Sequence, residues 1–286
     1  GIGYDTVSEL NPSIVYLQSN GYGPDGPGAL RPSTHPIPGA AMGGVVYQMG
    51  EKLPSEVQDM ENLRLWTKRL MRANEVNPDP NTAMVVCTSV MLGLMARKTT
   101  GDGQQIFMDM FGANAYANHD DFLSYPGKKP RALADDLMHG LNPTYRLYEC
   151  DNDEWVFLAL VTDREKARFL EILVDADVDC SQISLSEMEK ETITDKLEAL
   201  FKTRSASDWE GLLAHQGIGC VRADGLAPSL FWLEDEQARS MNLTKNSSYP
   251  EWGDYKRHGP TALFSCGVDH LKAAPKGGQH SEEILS

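Results

Sequence analysis

The chain has 286 residues, 41% of them apolar, enough for one large domain or two modest ones with a real core. Its formal charge is −15, from 41 acidic against 26 basic residues, which argues against general nucleic-acid binding. No apolar run approaches the length needed to span a membrane, and the five cysteines include no C-x-x-C pair, so neither a zinc site nor a disulfide framework is indicated.

Tyr4 to Leu10 reads as the end of a helix, and Pro12 to Gln18 as a strand, with Ile14, Val15, Tyr16 and Leu17 as a continuous β-prone run. Gly21 to Gly44 is rich in glycine and proline and carries little helix or strand signal. It reads as a loop with special backbone angles, able to bring main chain close to a ligand, or as an ordinary surface loop. Met60 to Ala73 is a helix with Leu63, Trp66 and Leu70 on one face and Arg64, Lys68, Arg69 and Arg72 on others. Those cations suit phosphates, but a solvated basic face is the simpler reading.

The chain is organised around the stretch from Asn77 to Phe111. Asn77 to Asn81 reads as a turn, because the residue before a proline is disfavoured in a helix. Asn81 or Thr82 then caps a helix. Ala83 to Met95 is apolar on nearly every face, which predicts burial all round. Arg97, Lys98 and the glycines at Gly101 and Gly103 end it, and Gln105 to Met110 reads as a short buried strand. Asp79 lies where unpaired N–H groups and the helix dipole favour negative charge. A carboxylate there either caps the turn or serves as an ionised nucleophile.

Gly112 to Tyr125 reads as helical. His119-Asp120-Asp121 and Asp135-Asp136 with His139 invite a metal reading, but a His and carboxylate in adjacent positions do not share a helix face, and Asp135, Asp136 and His139 fall in a stretch that reads as a linker, so no metal is expected. Residues 126–141 read as a linker. Thr144 to Cys150 and Trp155 to Val161 form a hairpin across an acidic turn. Arg164 to Val174, Glu187 to Lys202 and Ala206 to His215 read as helices, Gly219 to Arg222 as a strand, Glu234 to Met241 as a helix and Thr261 to Ser265 as strand-like. There is no G-x-S-x-G elbow and no G-x-x-x-x-G-K-[ST] loop, which weakens hydrolase and nucleotidase readings.

Asp79-Pro-Asn-Thr82, followed by Thr100-Gly-Asp-Gly-Gln104, resembles the signature of the class III CoA-transferases. That family includes formyl-CoA and carnitine CoA-transferases and α-methylacyl-CoA racemase. Three further stretches agree in order and spacing. They are Asn11 to Tyr16 with Ser19-Asn-Gly-Tyr-Gly23, Thr144 to Tyr148 with Trp155 to Leu158, and Gly278-Gln-His280 with Glu283-Ile-Leu285.

The resemblance implies an α/β fold: a Rossmann-like large domain, incomplete at its N-terminus, plus a small α+β domain. The boundaries are 1–135 for the large domain, 136–235 for the small one, and 236–286 for a C-terminal segment returning to the large domain. In the family roughly the first quarter precedes the point where this chain opens, so a fragment or one module of a fused protein is expected. Such a chain would be weak in binding CoA alone.

The implied reaction moves CoA from an acyl-CoA to a carboxylic acid. Asp79 is the nucleophile, forming an aspartyl mixed anhydride and then an aspartyl-CoA thioester. Coenzyme A is substrate and product, and no metal takes part. The acyl-thioester end is assigned to Asn20, Gly21, Tyr22, Gly23, His35, Gly43 and Gly44. His35 lies near the place of the racemase base, but Pro36 and Pro38 follow it where that branch has H-D-I-N-Y, so transfer is favoured over α-proton chemistry. The alternatives are an acyl-CoA racemase, isomerase or lyase, and a non-catalytic module of a fused two-copy protein. The resemblance further implies an interlocked homodimer or pairing with a second copy of the domain. A cytoplasmic location, with neither nucleic acid nor membrane as partner, completes the expectation.

Overall fold

The computed structural model describes residues 1–50, 55–56, 59–73, 78–119, 123–188, 190–260, 262–266 and 273–286; the side chains of Arg72 and Pro78 lie outside the description. Backbone contacts divide the chain into two compact units, one of residues 1–148 and 158–200, the other of 149–157 and 201–286.

The first unit opens with α1 (Tyr4–Leu10) and β1 (Val15–Asn20). Four helices follow: α2 (Ile37–Ala41), α3 (Gly44–Met49), α4 (Met60–Arg72) and α5 (Pro78–Thr100). The chain then returns through β2 (Gln104–Asp109) into α6 (Met110–Ala117). β1 and β2 pair in parallel, with Val15 opposite Gln104 and Asn20 opposite Asp109. A parallel pair needs a crossover connection, and α5 supplies its last leg, packing on both strands and on α6. Gly93 is where α5 meets the sheet: a Cβ there would press on Val15 and Ile106.

Several sequence expectations change here. The glycine- and proline-rich stretch is not all loop. It holds α2, entered through Pro36 and Pro38 at a position where proline fits a first turn, and α3, whose N-cap Gly43 is left-handed at φ 82°. The expected turn over Asn77–Asn81 is helical from Pro78, because a proline at the first helical position sacrifices no hydrogen bond. Asn81 and Thr82 are therefore inside the helix and not its caps; Asn77 lies outside the described residues. The helix is also not buried all round. Met84, Met91, Leu92 and Met95 are 70%, 58%, 60% and 64% exposed. α6 ends at Ala117, short of Tyr125.

Further on in the first unit, β3 (Gly140–Asn142) lies in the expected linker and pairs antiparallel with β4 (Tyr145–Glu149). β5 (Trp155–Ala159), whose residues 155–157 fall in the second unit, precedes α7 (Asp163–Asp175). α7 begins with a full capping box between Thr162 and Glu165, and it buries Phe169, Ile172 and Leu173. The expected helix over Glu187–Lys202 resolves into two single 3₁₀ turns and then α8 (Thr194–Phe201).

In the second unit α9 (Ala206–Ala214) packs on β6 (Gly219–Arg222). Trp209 is fully buried there, its Nε1 donating to Phe201 O at 2.7 Å. α11 (Glu236–Ser240) falls within the helix expected over Glu234 to Met241, and α10 (Pro228–Glu234), before it, was not expected. An antiparallel hairpin of β7 (Thr244–Tyr249) and β8 (Gly253–His258) was not expected, whereas residues 262–265 form no strand. α12 (Ser281–Leu285) closes the chain.

Candidate active site

The carboxyl ends of β1 and β2 carry the first part of the site. Asn20, the last residue of β1, folds its amide over the turn that follows: its Oδ1 accepts from Gly23 N at 2.8 Å and its Nδ2 donates to Gly23 O at 3.0 Å. This is the local closure for which asparagine is favoured in turns. Gly23 sits at φ 89°, a conformation open to glycine, and Gly21 is buried where any Cβ would collide with Ser33. Tyr22 packs edge-on against Phe111 at 5.0 Å, tying the turn to α6. Opposite Asn20, Asp109 caps α6 by accepting from Gly112 N at 2.8 Å.

α5 runs back toward the start of β2, so its first turn lies toward the carboxyl end of the sheet. Asp79 stands in that turn, half-exposed, where the free N–H groups and the helix dipole face a negative charge. His35 reaches it: Nδ1 lies 3.3 Å from Asp79 Oδ2, with the two side chains 40% and 51% exposed. The prolines after His35 start α2 directly after it and leave the imidazole against Asp79.

The first turn of α5 is fixed from behind by Asn114, a buried asparagine on α6. Asn81 Nδ2 donates to Asn114 Oδ1 at 2.9 Å, and Asn114 Nδ2 donates to Met110 O at 2.8 Å. Thr82 is buried beside them, with no hydrogen-bond partner for its hydroxyl among the described residues. A mostly apolar groove of about 520 Å³ runs between α5 and α6, past Asn81, Met84, Val85, Thr88 and Tyr116.

Thus the structure brings together Asp79 and His35, and separately Asn20 with Gly23 and Gly21 with Ser33. Gly43 begins α3, and a Cβ on it would touch nothing within 4 Å; Gly44 is buried. No hydrogen bond or ion pair among the described residues joins either glycine to Asp79. Asn114 and Asp109 were missed by sequence reasoning. Asp109 could have been found as an N-cap before Met-Phe-Gly; Asn114 could not, since an asparagine within a helix carries no local signal. Gly21-Tyr-Gly-Pro-Asp-Gly26 also follows β1 with G-x-G-x-x-G spacing. It opens into bends and turns, with the next helix only at Ile37, so it lacks the helix N-terminus on which dinucleotide binding depends. Among the described residues no group of three or more His, Cys, Asp or Glu is placed to hold a metal, and no helix is long and apolar enough to cross a membrane.

Comparison with known proteins places the fold and the family. The chain is 24% identical over its full length to an acyl-CoA transferase of Fusarium pseudograminearum (strain CS3096), covering 60% of that protein. It is 20% identical to a (R)-2-hydroxy-4-methylpentanoate CoA-transferase of Clostridioides difficile, covering 68% of it, and 22% identical to a succinyl-CoA:glutarate CoA-transferase of Mus musculus, covering 62%. The chain therefore spans roughly three fifths to two thirds of these relatives. Among solved structures, Rv3272 from M. tuberculosis superposes with a TM-score of 0.68 at 14% identity, over 99% of this chain and 72% of that one. A CAIB/BAIF family protein from Brucella suis superposes with a TM-score of 0.64 at 18% identity, over 99% of this chain and 70% of that one. These likenesses give the fold as that of the class III CoA-transferases. The family described as CoA-transferase family III matches residues 1–281, and the chain belongs to that family.

Proposed function

We propose that this chain carries the nucleophile of an enzyme that moves CoA from an acyl-CoA to a carboxylic acid. The observation that carries the reading is Asp79 in the first turn of the 23-residue α5, half-exposed and touching His35. In the first step the Asp79 carboxylate attacks the thioester carbonyl, forming a mixed anhydride and releasing CoA thiolate. The thiolate then attacks the aspartyl carbonyl, giving an aspartyl-CoA thioester and freeing the donor acid. The acceptor carboxylate attacks that thioester carbonyl, again releasing the thiolate. Its attack on the acceptor's acyl carbon yields the new acyl-CoA and restores Asp79. Covalent catalysis divides one hard exchange into four easier acyl transfers.

The close approach of His35 Nδ1 to Oδ2 of Asp79, an ionic contact when the imidazole is protonated, is proposed to orient Oδ1 for attack. Backbone N–H groups of the Asn20–Gly23 turn, with Gly43 and Gly44, are proposed to face the acyl-thioester end and stabilise its oxyanion. CoA is substrate and product, and no metal enters. The named activities of the relatives support a CoA donor and a carboxylic acceptor in general.

The exposed apolar stripe of α5 supports pairing with further polypeptide, whether an interlocked homodimer or a second copy of the domain. A large domain over 1–135, a small one over 136–235 and a returning segment over 236–286 remain the proposed division, and the cytoplasm the proposed location.

The contact between His35 and Asp79 also bears on the alternative reading, α-proton exchange on an acyl-CoA. Racemisation needs two proton-transfer groups on opposite faces of the α-carbon. Side chains that touch each other leave no room for that carbon, which supports transfer. The test is to incubate the full-length protein with acyl-CoA in heavy water, with and without carboxylic acids. CoA exchange that requires the acid supports the proposal. Deuterium entering the α-position without an acceptor, and no CoA exchange with one, overturns it in favour of α-proton chemistry.

A further inference from the structure

A second cavity lies in the first unit, away from any assigned role. It has a volume of about 310 Å³ and is bounded by the Asp135–Asp136 segment, β3, Arg146 of β4 and Glu191. Arg146 is only 8% exposed and is the cavity's cation. A guanidinium has five N–H donors in a fixed fork. Nε donates to Leu147 O at 3.3 Å, and Nη2 meets His139 Nδ1 at 3.0 Å and Glu198 Oε1 at 3.3 Å, with Asp135 Oδ2 at 3.5 Å. Nη1 donates to none of the described residues. Beside it, the side-chain oxygen of Asn142 is taken by the backbone N and the hydroxyl of Thr144, both at 2.9 Å, which leaves its amide N–H₂ as a further donor.

The acids around the cavity are not equivalent. Asp135 and Glu198 pair with Arg146, and Asp136 pairs with Arg69 at 3.6 Å. Glu191, at the start of a 3₁₀ turn, pairs with none of the described residues. The cavity therefore offers one donor edge, open to the cavity on a mostly buried side chain, and one free carboxylate. A simple anion on Nη1 would face Asp135, Asp136 and Glu191. A simple cation on Glu191 would leave the guanidinium edge unused.

We propose that this cavity binds a small zwitterion of the amino-acid type, its carboxylate on Arg146 Nη1 and Asn142 and its ammonium on Glu191. Arg146 is preset for the task. Its guanidinium carbon is held over the Tyr148 ring at 5.2 Å, and Gly140 lies against the start of its side chain with no room for a Cβ. The site needs no part of the chemistry at Asp79, so it stands or falls separately.

The test is calorimetric titration of the 286-residue chain with glycine, β-alanine and 4-aminobutanoate, which span the possible charge separations, and with acetate and ethylamine as single-charge controls. At least one zwitterion is expected to bind with a Kd of about 1 mM or tighter, roughly tenfold tighter than either control. Glu191→Gln should weaken that zwitterion roughly tenfold with no change in melting temperature, since Glu191 holds nothing else in place. Arg146→Lys keeps the charge and removes the Nη1 edge, and should abolish binding. If no zwitterion binds saturably, if acetate binds as well as the zwitterions, or if Glu191→Gln leaves affinity unchanged, the assignment is overturned. These results hold even should Arg146→Lys fail to fold.

Discussion

Helices α5 and α7 belong to the same unit and answer their surroundings differently. α7 is amphipathic: Phe169, Ile172 and Leu173 are fully buried, its other faces carry charge, and Thr162 and Glu165 close its start. α5 is longer and apolar nearly all round, yet its stripe of Met84, Met91, Leu92 and Met95 stays exposed, and its first turn holds a half-exposed aspartate. An amphipathic pattern announces which face needs covering. A helix apolar on every face announces only that more covering is needed than one neighbour supplies. In α7 the apolar residues stabilise the fold. In α5 they carry Asp79 and leave a surface on which further polypeptide would pack.

The largest expected difference is functional. Asp79→Ala in the complete protein should lower CoA exchange by about 10³-fold or more while leaving the circular dichroism and melting curve unchanged. Near-normal turnover in that variant would leave α5 with no chemistry at all.

Stability should invert the order. Phe169→Ala is expected to cost about 3–5 kcal/mol in denaturant unfolding, because it opens a cavity in a filled core. Leu92→Ala in the isolated chain should fall within about 0.5 kcal/mol of wild type, as surface substitutions do. A large loss at Leu92 would mean that the α5 stripe is already covered. Thr162→Ala should cost about 1 kcal/mol through the capping box.

The smallest effect concerns cysteines. Burial pushes the Cys220 thiol up to about 12, and burial, with Glu154 nearby, pushes Cys150 to about 11. Native chain at pH 8 should therefore be alkylated at the exposed Cys87, on α5, and Cys266, with Cys150 and Cys220 spared. Both folded values are raised, so the unfolded chain loses these protons first. This contribution to stability is complete below about pH 9 and fades as pH rises through about 11 to 12. A flat unfolding free energy from pH 8 to 11 would contradict it.

Much of α5 was legible in the chain. Asp79-Pro-Asn-Thr82 and Thr100-Gly-Asp-Gly-Gln104 bracket the helix, and Asp79, the residue proposed from them as nucleophile, stands in its first turn. Its burial was not legible, because composition records how apolar a face is and not what lies against it. The contact of His35 with Asp79 spans 44 positions, and that of Asn81 with Asn114 spans 33, so neither leaves a local pattern. α2 and α3 were hidden by proline and glycine, residues that break helices inside but suit their first turns and caps. The β7–β8 hairpin was hidden by its polar run Thr-Lys-Asn-Ser-Ser-Tyr, which has no apolar alternation.

The central claim is that Asp79 becomes covalently acylated. The direct measurement is hydroxylamine trapping of the full-length protein after mixing with acyl-CoA, followed by peptide mass spectrometry. The account predicts a hydroxamate on the peptide that contains Asp79, formed only when acyl-CoA is present and absent from Asp79→Ala. Rapid CoA exchange with no adduct at Asp79, or with the adduct on another residue, would contradict it.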